Sequence, residues 1–321
     1  MTVMNMVQAI NSALTQEMEA DGTVVVLGED VGIDGGVFRV TDGLLKKFPN
    51  RVIDTPLAEL AIAGTTVGMA VYGLKPVAEI QFDGFSPPIL DQIICHAGRI
   101  RWRTGGRYHA PLVIRIPYGG GIKALEHHSD SPEAYFVHTP GIKVVIPSTP
   151  YEAKGLLASS IRDPDPVIFL EPKRIYRAIK EDVPDEPYTI PLGEAKIVRE
   201  GEDVTLVSYG AMTRTCKQVM EKSKHSIEII DVRTLSPLDT KTIIESVKKT
   251  GRAVIVHEAP RSCGFGAELA AVINDRDLLH LKAPVTRVTG FDTVMPLPKL
   301  EEYYIPSAER IEAGIEKVME F

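Results

Sequence analysis

Short apolar, β-branched runs alternate with amphipathic stretches along most of this chain, and few folds accept such a pattern. Strand-like runs lie at Thr23–Leu27, Lys75–Ile80, Leu112–Ile116, Val144–Ile146 and Val167–Leu170, of which Leu112–Ile116 and Val144–Ile146 are β-branched and bounded by Gly and Pro. These two read as buried parallel strands. Between the runs lie helical patterns at Asn5–Asp21, Pro56–Met69, Pro88–Arg103 and Thr149–Arg162. Thr55 is placed to cap the second of these, with Pro56 in its first turn. The alternation predicts an α/β domain with a mostly parallel sheet. From about Glu171 to Gly193 it lapses into a stretch holding Pro172, Pro184, Pro187 and Pro191, which reads as a linker. A second α/β pattern follows, with strands expected at Val204–Ser208, Ile227–Val232, Ala253–His257 and Val285–Val288. Its helices are expected near Thr213–Lys224, Asp239–Lys249, Ala267–Asn274 and Ser307–Met319. The expected domains are 1–185 and 186–321.

Composition narrows the class. A chain of 321 residues with 44% hydrophobic content suits two domains with substantial cores. No apolar run approaches the ~20 residues that cross a bilayer, so no membrane span is expected. A net charge of −7 argues against nucleic-acid binding. Cys95, Cys216 and Cys263 are too scattered for a disulfide framework or a zinc knuckle. No basic residue precedes Arg39, so no leader is expected, and the cytoplasm of a prokaryote fits, as does a processed mitochondrial matrix form.

Open α/β sheets bind ligands beyond the carboxyl ends of their strands, so residues with useful chemistry in those loops are the candidates. Glu59 falls in the first turn of a helix, where the helix dipole by itself favours a carboxylate. Its neighbours Leu57, Leu60, Ala61 and Ile62 would also desolvate it, raise its pKa and suit it to trade a proton with a basic nitrogen. Glu29 offers a second carboxylate for a relay. His127 and His128 follow the Tyr118–Gly121 segment, which suits a mobile active-site loop; capping of a helix near Ser131 explains them equally well. Gln81 and Phe85 present an amide and an aromatic to a planar ring, although core packing also accounts for the phenylalanine. Asp163 and Asp165, beyond a helix end, could hold a cation together with free carbonyls or form a solvated turn. There is no Walker loop, no complete GxGxxG and no nucleophile elbow. Spacing alone stops at an α/β protein.

Longer stretches go further. LGEDVG (27–32), VIDTPLAELAIAG (52–64), AEIQFDGF (78–85), HHSDSPEAYFVHTPGIKVVIPSTPYEAKGLL (127–157), SSIRDPDPVIFLEPKRIYR (159–177), DVRTLSPLD (231–239), KTGRAVIVHEAP (249–260) and APVTRVTGFDTVMP (283–296) occur in order. Together they resemble the β subunit of the thiamine-diphosphate-dependent E1 component of 2-oxo acid dehydrogenase complexes. HSDSPEAYF, EPKRIYR and VHEAP are most similar to branched-chain members, with pyruvate dehydrogenase E1 β as the alternative. The resemblance implies an N-terminal pyrimidine-binding domain and a transketolase-like C-terminal domain. It implies an oxidoreductase that decarboxylates a branched-chain 2-oxo acid and passes the acyl group to lipoyl-E2.

The resemblance also assigns roles. Glu59 would contact N1′ of the aminopyrimidine ring and move the proton that lets the 4′-imino group take the thiazolium C2 proton. Phe85 would lie against that ring, with Gln81 and Leu57 nearby. His128 would serve substrate and acyl transfer, and Glu29 an acidic relay between cofactor sites. Leu112, Ser160, Ile161, Asp163 and Asp165 correspond to a structural K⁺ site, held mostly through main-chain carbonyls; relatives often carry asparagine where Asp165 stands.

Half of the cofactor site is missing from the sequence. Such enzymes grip the diphosphate through Mg²⁺ on a Gly-Asp-Gly motif with an asparagine further on, and Asn5, Asn11, Asn50 and Asn274 follow no such motif. The resemblance therefore implies an E1 α subunit that supplies Mg²⁺ and phosphate ligands, in an α₂β₂ tetramer with the cofactor at α/β interfaces. Gly64 and Gly68 would let helices approach closely there. Asp292 and the terminal carboxylate of Phe321 match positions that meet the peripheral-subunit-binding domain of E2. The alternatives are a fragment of a transketolase or deoxyxylulose-phosphate-synthase-like enzyme, which normally carries its own metal motif, and a flavodoxin-like binding subunit, disfavoured by the lack of a phosphate loop.

Overall fold

Strands buried on both faces are what the continuous Val- and Ile-rich runs form. In the computed structural model, which describes all residues from Met1 to Phe321, the chain folds as two α/β units. The first comprises 1–118 and 135–192, the second 119–134 and 193–321.

The first unit contains β1 (Thr2–Met4), β2 (Val24–Gly28), β3 (Val52–Asp54), β4 (Lys75–Glu79), β5 (Val113–Tyr118), β6 (Lys143–Val145), β7 (Val167–Pro172) and β8 (Glu181–Val183). Its sheet runs β6-β7-β5-β4-β2-β3 with every one of these pairs parallel. The first helix, Met6–Ala20, opens with a reciprocal capping box. Asn5 accepts from the Gln8 amide at 3.0 Å, and the Gln8 side chain accepts from the Asn5 amide at 3.0 Å, which satisfies two otherwise orphaned donors. This helix packs on Pro150–Arg162, itself capped by Thr149 with proline at its start.

The second unit contains β9 (Lys196–Arg199), β10 (Val204–Ser208), β11 (Ile227–Asp231), β12 (Thr234–Ser236), β13 (Ala253–Val256) and β14 (Thr286–Val288). Its sheet runs β14-β13-β10-β11-β9, with β9 antiparallel to β11 and the other pairs parallel. Asp239 and Ser307 cap the helices Thr240–Thr250 and Ala308–Met319 through their side chains.

The structure departs from the sequence expectations in three places. The second helix begins at Glu59 rather than Pro56, and Ala58 is its N-cap. Thr55 does not cap it; its amide donates to the Gly28 carbonyl at 2.9 Å, which extends the pairing of β2 and β3 past their ends. The pattern over Pro88–Arg103 is not one helix. It breaks into Leu90–Cys95 and Ile100–Arg103 with single 3₁₀ turns around them, because a second backbone presses on the break. A Cβ on Gly98 would meet the Pro140 carbonyl at 2.8 Å. Nor is the proline-rich stretch after Glu171 a free linker. Glu171 and Pro172 complete β7, and Glu181–Val183 pairs antiparallel with Thr2–Met4. No helix is long and apolar enough to cross a membrane.

Candidate active site

The strand order locates the site. After β2 the chain moves to β3 on one side, then returns to β4 on the other and continues outward through β5. The order therefore reverses between β2 and β4, and the crevice beyond their carboxyl ends is where an open sheet binds its ligand. Glu29 and Asp30 follow β2 directly, Gln81 to Phe85 follow β4, and the loop after β3 leads into the helix that opens with Glu59. Four residues singled out from sequence, Glu29, Glu59, Gln81 and Phe85, are thus delivered to one end of one sheet.

Hydrogen bonds fix the loops. Asp54, the last residue of β3, accepts from the amides of Gly32 at 2.5 Å and Ile33 at 3.1 Å. Gln81 donates to Asp30 at 2.9 Å, tying the loop after β4 to the one after β2. Phe85 meets Phe82 edge-on at 6.2 Å, and Phe82 meets Phe38 at 5.4 Å.

Beneath the crevice lies a buried ion network. Arg115 on β5 donates to Glu79 at 2.7 Å and to both oxygens of Glu171 at 2.7 and 2.9 Å. Tyr176 adds a hydrogen bond to Glu171 at 2.5 Å, and Lys173 pairs with Asp83 out of solvent. Burial raises the Glu79 pKa, while Arg115 holds it back. Arg115 itself stays firmly protonated: burial opposes its charge, and Glu171 and Glu79 more than offset that.

The electrostatics single out Glu29. Its carboxyl group is only 3% exposed, and neither oxygen has a hydrogen-bond partner. Burial, then repulsion from Glu59 and Asp30, pushes its pKa up to about 6. Glu59 is half-buried at the helix start, near enough for its charge to act on Glu29. Two carboxyl groups beyond the carboxyl ends of neighbouring strands, one of them with its pKa raised by burial, suit proton transfer. Around them the surface is open: Leu57 is 81% exposed, and Leu60 is also exposed. A Cβ added to Gly68 would meet nothing within 4 Å, and one on Gly64 would meet only the Gln92 side chain, so this chain leaves that face of the helix uncovered.

His127 and His128 lie in a single 3₁₀ turn, Glu126–His128, separate from the following helix Glu133–Val137. The segment carrying them packs with the second unit.

The proposed cation residues gather at the opposite end of the first sheet. Leu112 precedes β5 and Asp163 to Asp165 precede β7. Asp163 takes both oxygens to the Lys143 ammonium at 2.6 and 2.5 Å, and Asp165 pairs with Arg101 at 2.6 Å. Both carboxylates are thus already paired with cationic side chains, and the Leu112 and Ser160 carbonyls accept from the amides of Val167 at 3.0 Å and Asp163 at 3.3 Å. No group of three or more His, Cys, Asp or Glu side chains is arranged to hold a metal ion. In the second unit, the Asp292 carboxylate accepts from the Ser262 amide at 2.7 Å and hydroxyl at 2.8 Å, which lowers its pKa; Phe321 is exposed.

Sequence reasoning passed over Asp30, Asp54 and the Arg115 network. Asp54 gave no signal apart from its place at a strand end. Arg115 did give one: a lone cation inside Leu-Val-Ile-Arg-Ile has to find buried partners.

Residues 2–179 match the transketolase pyrimidine-binding domain and residues 193–311 the transketolase C-terminal domain. The chain is 52% identical to the pyruvate dehydrogenase E1 component subunit beta of Acholeplasma laidlawii, over 99% of this chain and 98% of that protein. It is 49% identical to the protein of the same name from Bacillus subtilis, over the full length of both. A solved structure described as a split-gene transketolase, an inactive β4 tetramer, superposes with a TM-score of 0.81 over 99% of both chains at 21% identity, a likeness of fold alone. These relatives carry the pyruvate name, so they do not support the branched-chain expectation. The stretches behind that expectation do structural work. EPKRIYR supplies Glu171, Lys173 and Tyr176 to the buried network, and VHEAP supplies His257, whose buried ring stacks on Tyr209 and has its pKa pushed down by burial to about 3. HSDSPEAYF supplies Glu133, buried and bonded to Tyr209. Packing and ion pairs of this kind do not report a substrate's side chain. With its match to both transketolase domains and this identity to E1 subunits over its whole length, the chain belongs to the family of E1 component β subunits of 2-oxo acid dehydrogenases.

Proposed function

We propose that this chain is the β subunit of a pyruvate-decarboxylating E1 enzyme, and that it supplies the face of a thiamine-diphosphate site that handles the cofactor's aminopyrimidine ring. The observation that supports this best is the partnerless, buried Glu29 carboxyl group beside half-buried Glu59 at the strand-order reversal. When bound, thiamine diphosphate supplies the carbon nucleophile and electron sink of the reaction. Glu59 holds and returns the proton exchanged with the ring's basic nitrogen. Phe85 offers an apolar wall to the ring, and Leu57 and Gln81 line its approach, the latter held by Asp30. Glu29 keeps a second proton at the same edge. His128 serves the substrate and the transfer of its acyl group to lipoyl-E2.

The other half of the site belongs to a partner. An E1 α subunit would cover the open face around Leu57, Leu60, Gly64 and Gly68 and bring Mg²⁺ with the phosphate ligands, in an α₂β₂ assembly. The peripheral-subunit-binding domain of E2 would meet the second unit at Asp292 and Phe321. A K⁺ ion at the carbonyls near Asp163 would act on the fold rather than the chemistry, because that cluster sits at the sheet end away from Glu59. Co-expression with a candidate α subunit, followed by decarboxylation assays, tests the substrate. Pyruvate should be turned over with a kcat/KM above that for 3-methyl-2-oxobutanoate; the reverse ranking would restore the branched-chain assignment.

A further inference from the structure

The segment 119–134 leaves the first unit after Tyr118 and packs with the second. It begins with three glycines in a row, which cost much conformational entropy to hold in one path. A carboxylate from the far end of the chain holds them. Glu301 is 2% exposed and accepts two main-chain N–H groups, from Gly121 at 2.7 Å and from Lys123 at 3.0 Å. Gly119, Gly121 and Lys123 all have positive φ, at 80°, 92° and 59°. Turns of this kind point neighbouring amides into one concavity, a nest for an anion, and the Glu301 carboxylate fills it. Hydrogen bonds to an ionised acceptor are roughly twice as strong as neutral ones. They also offset the unfavourable left-handed backbone of Lys123.

Contacts on either side complete the clamp. Gly120 lies flush on the second unit: a Cβ there would meet Met295 at 2.9 Å, Ile305 at 3.0 Å and Glu301 at 3.3 Å. The loop base is closed where the Gly119 amide donates to the Asp130 carbonyl at 2.8 Å and Tyr209 donates to Glu133 at 2.8 Å. Between these anchors, the His128 amide donates to the Leu125 carbonyl at 3.0 Å, and the Ser129 hydroxyl to the same carbonyl at 3.2 Å. The path of the backbone through His127 and His128 is thus set from both ends, and on the glycine side Glu301 holds the amides of Gly121 and Lys123.

We propose that Glu301 is a positioning residue for His128: by filling the amide nest at Gly121 and Lys123 it fixes the loop from which His128 acts. This rests on the role in acyl transfer given to His128 above. A side chain displaced by about 1 Å can lose about 10²-fold in rate, so a clamp remote from the reacting atoms can govern a chemical step.

The test uses the reconstituted α/β enzyme with Glu301→Ala, Glu301→Gln and, as reference, His128→Ala. Two readouts are taken: hydrogen exchange of the amides in 119–129, and acyl transfer to a free lipoyl domain set against decarboxylation with an artificial electron acceptor. Glu301→Ala should speed exchange in 119–129 and lower kcat for acyl transfer by about tenfold or more, a larger loss than in the acceptor-coupled rate. Glu301→Gln keeps one acceptor oxygen and should fall between. Unchanged exchange in Glu301→Ala overturns the clamp. Faster exchange with wild-type acyl transfer, while His128→Ala loses it, overturns the positioning role. Acyl transfer intact in His128→Ala would instead refute the role of His128 itself, with the exchange data still judging the clamp. Failure of both Glu301 variants to assemble would reduce Glu301 to a folding residue and overturn the proposal.

Discussion

In the two-subunit enzyme, Glu59→Ala is expected to slow exchange of the C2 proton of bound thiamine diphosphate by about 10²–10⁴-fold, the usual contribution of a positioned acid–base group. Glu59→Gln should do nearly as much harm, because it keeps the size and polarity of the side chain and loses only the proton. The variant has a second signature. Burial is the main reason the Glu29 pKa lies near 6, and repulsion from Glu59 is the next, so removing that charge should lower the Glu29 pKa. Glu29 in the folded wild-type chain keeps its proton to a higher pH than in the unfolded chain, whose ordinary value is near 4.5. Its burial is therefore best tolerated below pH 4.5 and weighs increasingly against folding as pH rises through 6. In Glu59→Gln that window should narrow from its upper end. Titration of the Glu29 carboxyl by infrared or carbon-13 spectroscopy would follow it directly. A variant with C2 exchange within about tenfold of wild type would remove Glu59 from the proton path, since that loss lies below the general acid–base range.

Arg115→Met should be the most damaging change to the first unit. It leaves Glu79 and Glu171 facing each other in the interior with no cation between them, and breaking a buried pair by deleting one partner costs about 3–5 kcal/mol. The pH dependence distinguishes this from simple loss of packing. Without Arg115 the two carboxyl groups become easier to protonate in the fold than in the unfolded chain, so the stability lost at pH 7 should partly return as pH falls towards 5. Addition of Glu171→Gln to Arg115→Met should recover part of the loss at pH 7. Urea unfolding followed by far-ultraviolet circular dichroism measures all three proteins. A loss below about 1 kcal/mol, the range of a surface pair, or one independent of pH, would show that the network contributes little.

Much of this architecture can be read from the residues before any coordinates. β2, β7 and β13 are built on continuous apolar runs, and continuity is the sign of a strand covered on both faces. What could not be read was set by contacts between distant segments. The break in Pro88–Arg103 comes from the backbone at Pro140 pressing on Gly98. The second helix starts at Glu59 with Ala58 as its N-cap, while Thr55 continues the pairing of β2 and β3. β1, β3, β8 and β9 were missed because such short strands carry almost no periodic signal. At the site, Glu29, Glu59, Gln81 and Phe85 could be singled out because each directly follows a strand or opens a helix. Asp54, Glu79, Glu171 and Glu301 could not, because their roles depend on partners brought together only by the fold. The similarity of HSDSPEAYF, EPKRIYR and VHEAP to branched-chain enzymes is not supported by the relatives that carry the pyruvate name, and those stretches supply scaffold contacts.

The central claim is that this chain owns the ring-handling half of a cofactor site and depends on another chain for the half that grips the diphosphate. Calorimetric titration of thiamine diphosphate with Mg²⁺ into the purified chain, and into the same chain assembled with an α subunit, tests that most directly. The account predicts no saturable heat from the chain alone and one site per β chain in the assembly, with the heat largely lost when the α subunit's metal ligands are removed. Saturable micromolar binding to the isolated chain would contradict it.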